Sequence, residues 1–376
     1  MTRSLVTVGR GLGASLVGAL LILLLAASPL AAATGWTGPL RVGAAGHCTQ
    51  VAAAIDSAGR YHLAAECGGS IRYSFSFANR SWSTTSFSHP AGRADFSPQV
   101  AIDGNVVYVA YSRDSDEGCG EAVDAGVYYR KRSLPSGAWS AARRIGPADD
   151  HLQSFRVVAG TLHATVANNH DGRLYYETST GAAYHRYLIS GGFGTSSLRI
   201  GSDGAARIVY QGEGSLRYAT FTGSGFTTTS IPGTTGEDRN PLLVLDAANH
   251  AHVVWSREPG PGCAIRDPNP DDGTYYATNK TGAWSAVGTR RITTNLGATS
   301  LTADVGSGRV HVLVAGSGVR YYSKPAAGAW TGQLLSSSAA LGAAIRLDQS
   351  SGTLLAVYSR QLSNGDSGSI YYLTKP

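Results

Sequence analysis

The chain has 376 residues, of which 43% are hydrophobic and 15% charged, and its formal net charge is +6. Arg3 and Arg10 supply two of these charges, and the other basic residues are scattered apart from short groups at 130–132, 143–144 and 290–291. Because a nucleic-acid-binding surface gathers its basic residues on one face or stripe, this pattern excludes nucleic acid as an expected partner.

The N-terminal segment has the pattern of a secretory signal peptide. Its two arginines precede an apolar stretch at 14–27, and small residues follow at 31–33, where cleavage is expected after the last of them. We therefore predict a signal peptide at 1–33, a single mature domain at 34–376, and a secreted protein that keeps no membrane attachment after cleavage. A retained signal anchor is the alternative.

One pattern of residues recurs seven times along the rest of the chain. Each copy has an apolar run, an Asp turn, a second run that often carries His, a run ending in Tyr, and a run opening with Trp or another aromatic residue, as 51–87 and 242–289 show. Repeats of roughly 40–50 residues with four strands each are typical of β-propeller blades. The sequence thus predicts an all-β fold, a seven-bladed β-propeller with four antiparallel strands per blade.

The last copy ends at 370–376, before any strand that opens with Trp. Just after the predicted signal peptide, Gly35–Leu40 matches Ala329–Leu334 almost residue for residue. We expect this N-terminal strand to complete the last blade and close the ring, which would cover two strand edges.

The residues that recur in every copy are expected to serve the fold. Asp at the first turn accepts hydrogen bonds from its own turn. The repeated His lie on separate blades, too far apart to share a metal ion, and are predicted to be structural. The repeated Tyr and Trp are of the size and shape that fill the wedge between neighbouring sheets.

Four cysteines in an exported protein suggest disulfides. Cys48 and Cys67 flank the first two strands symmetrically about their turn, so we predict that they are paired. Cys119 and Cys263 occur in long insertions between second and third strands of two copies. A bridge between them, two free thiols and an intermolecular bond remain open.

Loops between second and third strands share one face of a propeller with the loops between blades, and here charge and loop length concentrate on that face. The predicted ligand-binding residues are Arg113, Asp114, Asp116, His170, Asp171, Asp238, Arg239, Arg257, Glu258 and Arg360. Three of them, Arg113, Arg257 and Arg360, stand at one equivalent position, and guanidinium groups bind carboxylates in forked geometry. An acidic glycan is therefore a candidate ligand, and local salt bridges to Asp114 and Glu258 are the alternative.

In its blade repeats and its arginines the chain resembles the sialidase-like group of secreted bacterial propellers. That resemblance implies recognition of a sugar carboxylate by an arginine triad. The turns before Trp284 and Trp330 lack the Asp of the family's boxes, and the family's Arg-Ile-Pro motif is absent. In blade number and secretion the chain is also similar to propellers that are lyases of acidic polysaccharides.

We expect a monomeric binding module for a glycan or an extracellular protein. The alternative is a carbohydrate-active enzyme. A glycoside hydrolase needs two carboxylates in one pocket, and a lyase needs a base and a cation, for which His151 or His170 with Arg113 or Arg257 are candidates. Catalytic residues are not assigned.

No cofactor is expected, with one alternative at 267–273. Alternating oxygen-bearing side chains before a Gly resemble a Ca²⁺ loop, although the Gly is one place late and the final Glu of an EF-hand is missing. The residues of this candidate metal site are Asp267, Asn269, Asp271 and Asp272.

Overall fold

The computed structural model describes residues 35–43, 46–76, 81–115, 125–180, 183–192, 194–258, 270–364 and 367–376. The predicted signal peptide, Cys119 and Cys263 lie outside these residues. Within the ranges given, no helix has the length and hydrophobicity needed to cross a membrane.

The described chain is built almost wholly of β-strands, and its one helical element is a short 3-10 turn, Ala286–Gly288. In chain order the strands are β1 (Thr37–Arg41), β2 (Cys48–Ile55), β3 (Tyr61–Cys67), β4 (Ser70–Ser76), β5 (Trp82–Ser86), β6 (Arg93–Asp103), β7 (Val106–Ser115), β8 (Gly126–Ser133), β9 (Arg143–Ile145), β10 (Asp150–Val158), β11 (Thr161–Asn168), β12 (Arg173–Thr180), β13 (Ala183–Ser190), β14 (Ser196–Ile200), β15 (Ala206–Gly212), β16 (Ser215–Phe221), β17 (Phe226–Ser230), β18 (Asp238–Leu245), β19 (Ala251–Arg257), β20 (Gly273–Thr278), β21 (Arg290–Thr293), β22 (Ala298–Ala303), β23 (Val310–Ala315), β24 (Val319–Lys324), β25 (Thr331–Ser336), β26 (Ala340–Leu347), β27 (Leu354–Gln361) and β28 (Ser367–Lys375).

The strands form an all-β propeller, but the predicted number of blades is wrong. Five blades of four antiparallel strands are present, namely β6–β9, β10–β13, β14–β17, β18–β21 and β22–β25. The other eight strands belong to one sheet, in the order β26-β27-β28-β2-β3-β4-β5, with β1 also paired to β28. The two ends of the chain join in this sheet because β28 reaches β2 at the pair Cys48–Gly368.

The N-terminal strand does pair with the C-terminal strand. β1 runs antiparallel to β28, with Thr37 opposite Thr374 and Leu40 opposite Tyr372. The hydroxyl oxygens of Thr37 and Thr374 are hydrogen-bonded at 2.6 Å. This pairing covers an edge of β28 that would otherwise expose unpaired backbone groups.

Aromatic residues fill the wedges between successive repeats. In each case a Trp packs edge-on against the recurring Tyr within the third strand of another copy. The pairs are Trp139–Tyr73, Trp284–Tyr218, Trp330–Tyr276, Trp36–Tyr321 and Trp82–Tyr372, with ring centroids 4.8, 5.3, 5.2, 5.1 and 5.3 Å apart. Edge-to-face contacts at these separations are favourable beyond the area they bury, so the recurring aromatic residues serve packing.

The recurring histidines are hydrogen-bonded to the recurring tyrosines inside their own sheets. The pairs His62–Tyr73, His163–Tyr176, His252–Tyr276 and His311–Tyr321 have Nδ1–Oη distances of 2.6 to 2.7 Å. Desolvation disfavours the imidazolium and lowers the pKa of each of these histidines to about 4. They are therefore neutral at pH 7 and structural, as the sequence predicted.

The first strand of each repeat lies against the first strand of the next, and the contacts close a cycle through β2, β6, β10, β14, β18, β22 and β26. Serine hydroxyls connect several neighbours along this cycle: Ser154, Ser197 and Ser300 accept the backbone N–H groups of Leu198, Leu243 and Ile345 at 3.1, 3.1 and 2.9 Å. The strands enclose a central channel, one end of which meets the loop-rich face.

Candidate functional site

Arg113, predicted to bind a ligand, is buried in an ion pair with Asp95. Its Nε and Nη2 donate to the two carboxylate oxygens at 2.6 and 3.0 Å. The carboxylate is fully buried, 6% of the arginine is exposed, and the guanidinium carbon lies 4.7 Å from the ring centre of Tyr128. The predicted local partner, Asp114, is thus not the residue that holds Arg113.

Arg257 repeats this arrangement on another blade. Its Nε and Nη2 donate to the carboxylate of Asp238 at 2.7 and 2.9 Å, and Nη2 also donates to the carbonyl of Gly233 at 2.9 Å. Asp238 is fully buried, so it is not available on the surface as a ligand-binding group. The partner is again across the hairpin rather than the neighbouring Glu258.

These ion pairs occupy one register position of the propeller. In five repeats we compare the residues that face each other where the hairpin of the first and second strands meets the loop-rich face. These pairs are Cys48–Cys67, Asp95–Arg113, Asp150–Asn168, Asp238–Arg257 and Ala340–Arg360. The first pair is joined by a disulfide, which confirms the predicted bridge. Arg360 faces an alanine and is exposed, so only this arginine of the three projects from the loop-rich face.

A group of half-buried and exposed residues lies at the loop-side ends of the neighbouring blades β6–β9 and β10–β13. We call Phe96, Asp114, His151, Asn169 and Asp171 the His151 patch. The Nε2 atom of His151 lies 2.5 Å from Nδ2 of Asn169 and 3.7 Å from a carboxylate oxygen of Asp114, and its ring centre is 5.4 Å from that of Phe96.

Asp171 and His170 follow Asn169 in the same turn. The carboxylate of Asp171 accepts the backbone N–H of Arg173 at 3.0 Å and the hydroxyl of Tyr175, and the Tyr175 hydrogen bond lowers the pKa of the carboxyl. Both His170 and Asp171 are exposed. These two predicted residues thus lie next in sequence to Asn169, which together with Asp114 contacts His151, a residue that the sequence had marked as a candidate base.

The remaining predicted residues are spread over other parts of the structure. Arg239 and Glu258 are half-buried on the blade β18–β21, away from the His151 patch, and Asp116 lies outside the described residues. Of the predicted calcium ligands, Asp267 and Asn269 also lie outside, and the backbone carbonyl of Asp271 accepts the Tyr275 hydroxyl at 2.7 Å. In the described part of the chain, no three His, Cys, Asp or Glu side chains are grouped as a metal site.

A buried acidic pair on the same face was not predicted. Arg186 donates to Asp150 at 2.7 and 3.1 Å and to Glu177 at 2.9 Å. Burial and the nearby Asp150 raise the pKa of Glu177 to about 7. Since both carboxylates are 1% exposed, a substrate cannot reach them without local opening, and the group is best explained as a structural clamp.

Sequence reasoning also missed the lining of the central channel. The channel widens into two cavities, one of about 390 Å³ towards the turns after the first strands and one of about 140 Å³ towards the loop-rich face. Arg156, Arg199 and Arg346 line both cavities. The described residues of the lining include no Asp or Glu. The signal was present in the sequence: one channel-facing position is Arg in three copies and Ala, Val or Thr in the others.

The comparisons with known proteins support the fold. No protein-family model matches the sequence, and no curated protein is similar to it. Among solved structures, virginiamycin B lyase from Staphylococcus aureus, in a catalytically inactive form with quinupristin, is similar at 12% identity and a TM-score of 0.60, over 89% of this chain and 99% of that one.

Two further structures carry saccharides. The GH93 α-L-arabinofuranosidase of Fusarium graminearum, complexed with arabinobiose, is 12% identical, with a TM-score of 0.52 over 90% of this chain and 97% of that one. A polysaccharide lyase of family PL25, an ulvan lyase bound to -[GlcA(1-4)Rha3S]-, is 10% identical, with a TM-score of 0.58 over 92% and 98%. At such identities the likeness is one of fold, and the predicted resemblance to the sialidase-like group is not confirmed by these structures.

Proposed function

We propose that the protein is an exported, monomeric binding module that holds a glycan on its loop-rich face. The observation that carries this proposal is the His151 patch, in which an imidazole lies beside an aromatic ring and within 3.7 Å of an amide and a carboxylate. Sugar hydroxyls both donate and accept hydrogen bonds, and a few convergent polar groups beside an apolar surface are what a small-molecule site requires.

The state of the acidic residues favours binding over hydrolysis. Asp95, Asp150, Glu177 and Asp238 are buried on this face, and each accepts hydrogen bonds from an arginine. A carboxylate held in this way is not free to protonate a glycosidic oxygen or to attack an anomeric carbon. Of the patch itself, Asp114 and Asp171 are the accessible acids.

A carbohydrate-active enzyme is the second candidate. It is supported by the GH93 and PL25 enzymes among the similar structures, which are complexed with arabinobiose and with -[GlcA(1-4)Rha3S]-. Both candidates predict glycan binding, but only the enzyme also converts the bound glycan to product. Measurement of product therefore separates them.

The test is a glycan array on the secreted protein, followed by reducing-end and unsaturated-uronate assays on every glycan bound. We expect binding without product, and an affinity lowered by about tenfold or more in the double variant His151→Ala/Asn169→Ala. His185→Ala, a change of an exposed histidine on the outer strand β13, is the matched control and should bind normally. Product formation would contradict the binding module and support the enzyme. The absence of any glycan binding would refute both proposals.

A further inference from the structure

Three arginines point into the central channel from equivalent positions. Arg156, Arg199 and Arg346 stand opposite His163, Arg207 and Leu355 in their hairpins, and the other copies carry Ala54, Ala101, Val244 and Thr302 at the same place. Since small or apolar residues fill this position elsewhere, packing of the channel does not require arginine. A charged group at three of these positions needs another explanation.

The described residues around these guanidinium groups do not neutralise them. Each donates through Nη1 to the carbonyl of the residue before it, Phe155, Leu198 at 2.8 Å and Ile345 at 2.7 Å. Among the described residues, no carboxylate oxygen lies within 4.0 Å of any of the three, whereas Arg113, Arg186 and Arg257 all have one. Each guanidinium therefore keeps donors that can serve a ligand, since the group has five N–H bonds.

Burial in the channel disfavours the charged form of these arginines. Burial and the neighbouring Arg346 lower the pKa of Arg156 to about 9, and burial lowers the pKa of Arg346 to about 10. Both remain charged at pH 7. Desolvated like charges destabilise the folded state unless an opposite charge joins them.

The cavity around the arginines has the dimensions of a ligand site. Its larger part, about 390 Å³, falls at the lower end of the range for small-molecule pockets. Gln99, Gln153 and Thr299 line the smaller part and can contribute further hydrogen bonds. The three arginines line both parts, so a group bound in the channel meets guanidinium donors.

We propose that Arg156, Arg199 and Arg346 form a site for a compact oxyanion, a sulfate, phosphate or carboxylate group, in the central channel. Oxyanions match the forked donors of guanidinium groups, and one bound anion would offset the repulsion between the arginines. The anion is either free in solution or a substituent of a larger ligand that enters the channel. This site is separate from the His151 patch and does not depend on the glycan proposal.

The experiment measures binding of inorganic sulfate and inorganic phosphate to the whole mature protein by calorimetry, at constant ionic strength set with chloride. Glucuronate and glucose 6-sulfate are run in parallel, because tighter binding of a sugar-borne anion than of the inorganic ion assigns the site to a substituent. Sulfate also stabilises proteins by exclusion from their surface. Only saturable binding therefore counts.

We expect saturable binding that weakens by about tenfold in Arg156→Gln and in Arg346→Gln and is lost in the triple glutamine variant. Arg320→Gln, which removes an exposed charge on β24, should bind as the wild type. Without anion, the triple variant should melt at a higher temperature than the wild type because the repulsion is gone, which also shows that it folds.

Two results would overturn the site. One is the absence of saturable binding by all four probes. The other is binding that persists unchanged in the triple variant, which would place the anion elsewhere on the protein.

Discussion

Arg113 and Asp95 face each other across the hairpin of β6 and β7 and share two hydrogen bonds of 2.6 and 3.0 Å with the carboxylate fully buried. The pair stands at the register position that the disulfide Cys48–Cys67 occupies in its own hairpin. Both links join the first and second strands where the loop-rich face begins, so an ion pair and a covalent bond perform the same structural task.

Removal of one member of this ion pair should destabilise the protein strongly. We expect Arg113→Met to lower the free energy of unfolding by about 3–5 kcal/mol, because it leaves the carboxylate of Asp95 buried without its partner. The double variant Arg113→Met/Asp95→Leu should recover much of that loss, since neither charge remains. Urea denaturation measures both.

Asp114→Asn is the matched control, because its side chain is 38% exposed and such surface changes usually stay within about 0.5 kcal/mol. If Arg113→Met unfolded at the same urea concentration as the wild type, the arginine would not be a structural clamp, and its predicted role in ligand binding would regain support.

The features predicted well from sequence are those fixed by local chemistry within one repeat. The positions of Tyr73 and Trp139 are aromatic in successive copies. Large flat side chains repeated at this period are expected to pack in the wedges between sheets. The Cys48–Cys67 bridge followed from symmetry about a tight turn, because a two-stranded hairpin sets which residues face each other.

The features that failed depend on distant parts of the chain. The partner of Arg113 was sought at Asp114, its neighbour in sequence, whereas the true partner is 18 residues away across the hairpin. The number of blades also depends on distant contacts. The number of motif copies can be read from the sequence, but the sequence does not show that β28 pairs with β2 and joins the first and last groups of strands into one sheet. The channel arginines are not indicated by the repeat, because Arg156 departs from it at a position where other copies carry small or apolar residues such as Ala54.

The disulfide should carry a share of stability comparable to that of the ion pair. Its cysteines are 19 residues apart, and closure of a loop of that size constrains the unfolded chain by about 3 kcal/mol. We expect Cys48→Ala/Cys67→Ala to lower the free energy of unfolding by about that amount in urea denaturation. Addition of a reductant should move the wild type towards the variant, and an unchanged midpoint in both experiments would contradict this contribution.

The buried histidines make the protein sensitive to acid. His62, His252 and His311 have pKa values of about 4 in the folded protein, against about 6.5 in an unfolded chain. Between these values the unfolded state binds more protons, so stability is complete above pH 6.5 and falls as the pH drops towards 4. Each histidine contributes at most about 3 kcal/mol to this loss.

Urea denaturation from pH 7 to pH 4 measures the effect as a free energy of unfolding at each pH. The variant His311→Gln replaces one imidazole by a neutral side chain. Its unfolding should therefore take up about one proton fewer than that of the wild type, and its free energy of unfolding should fall less steeply as the pH drops. A matched change of the exposed His185 to Gln is the control and should leave the slope as in the wild type. Stability that stayed constant between pH 6.5 and pH 4 would mean that the His–Tyr pairs accept protons without opening the sheets.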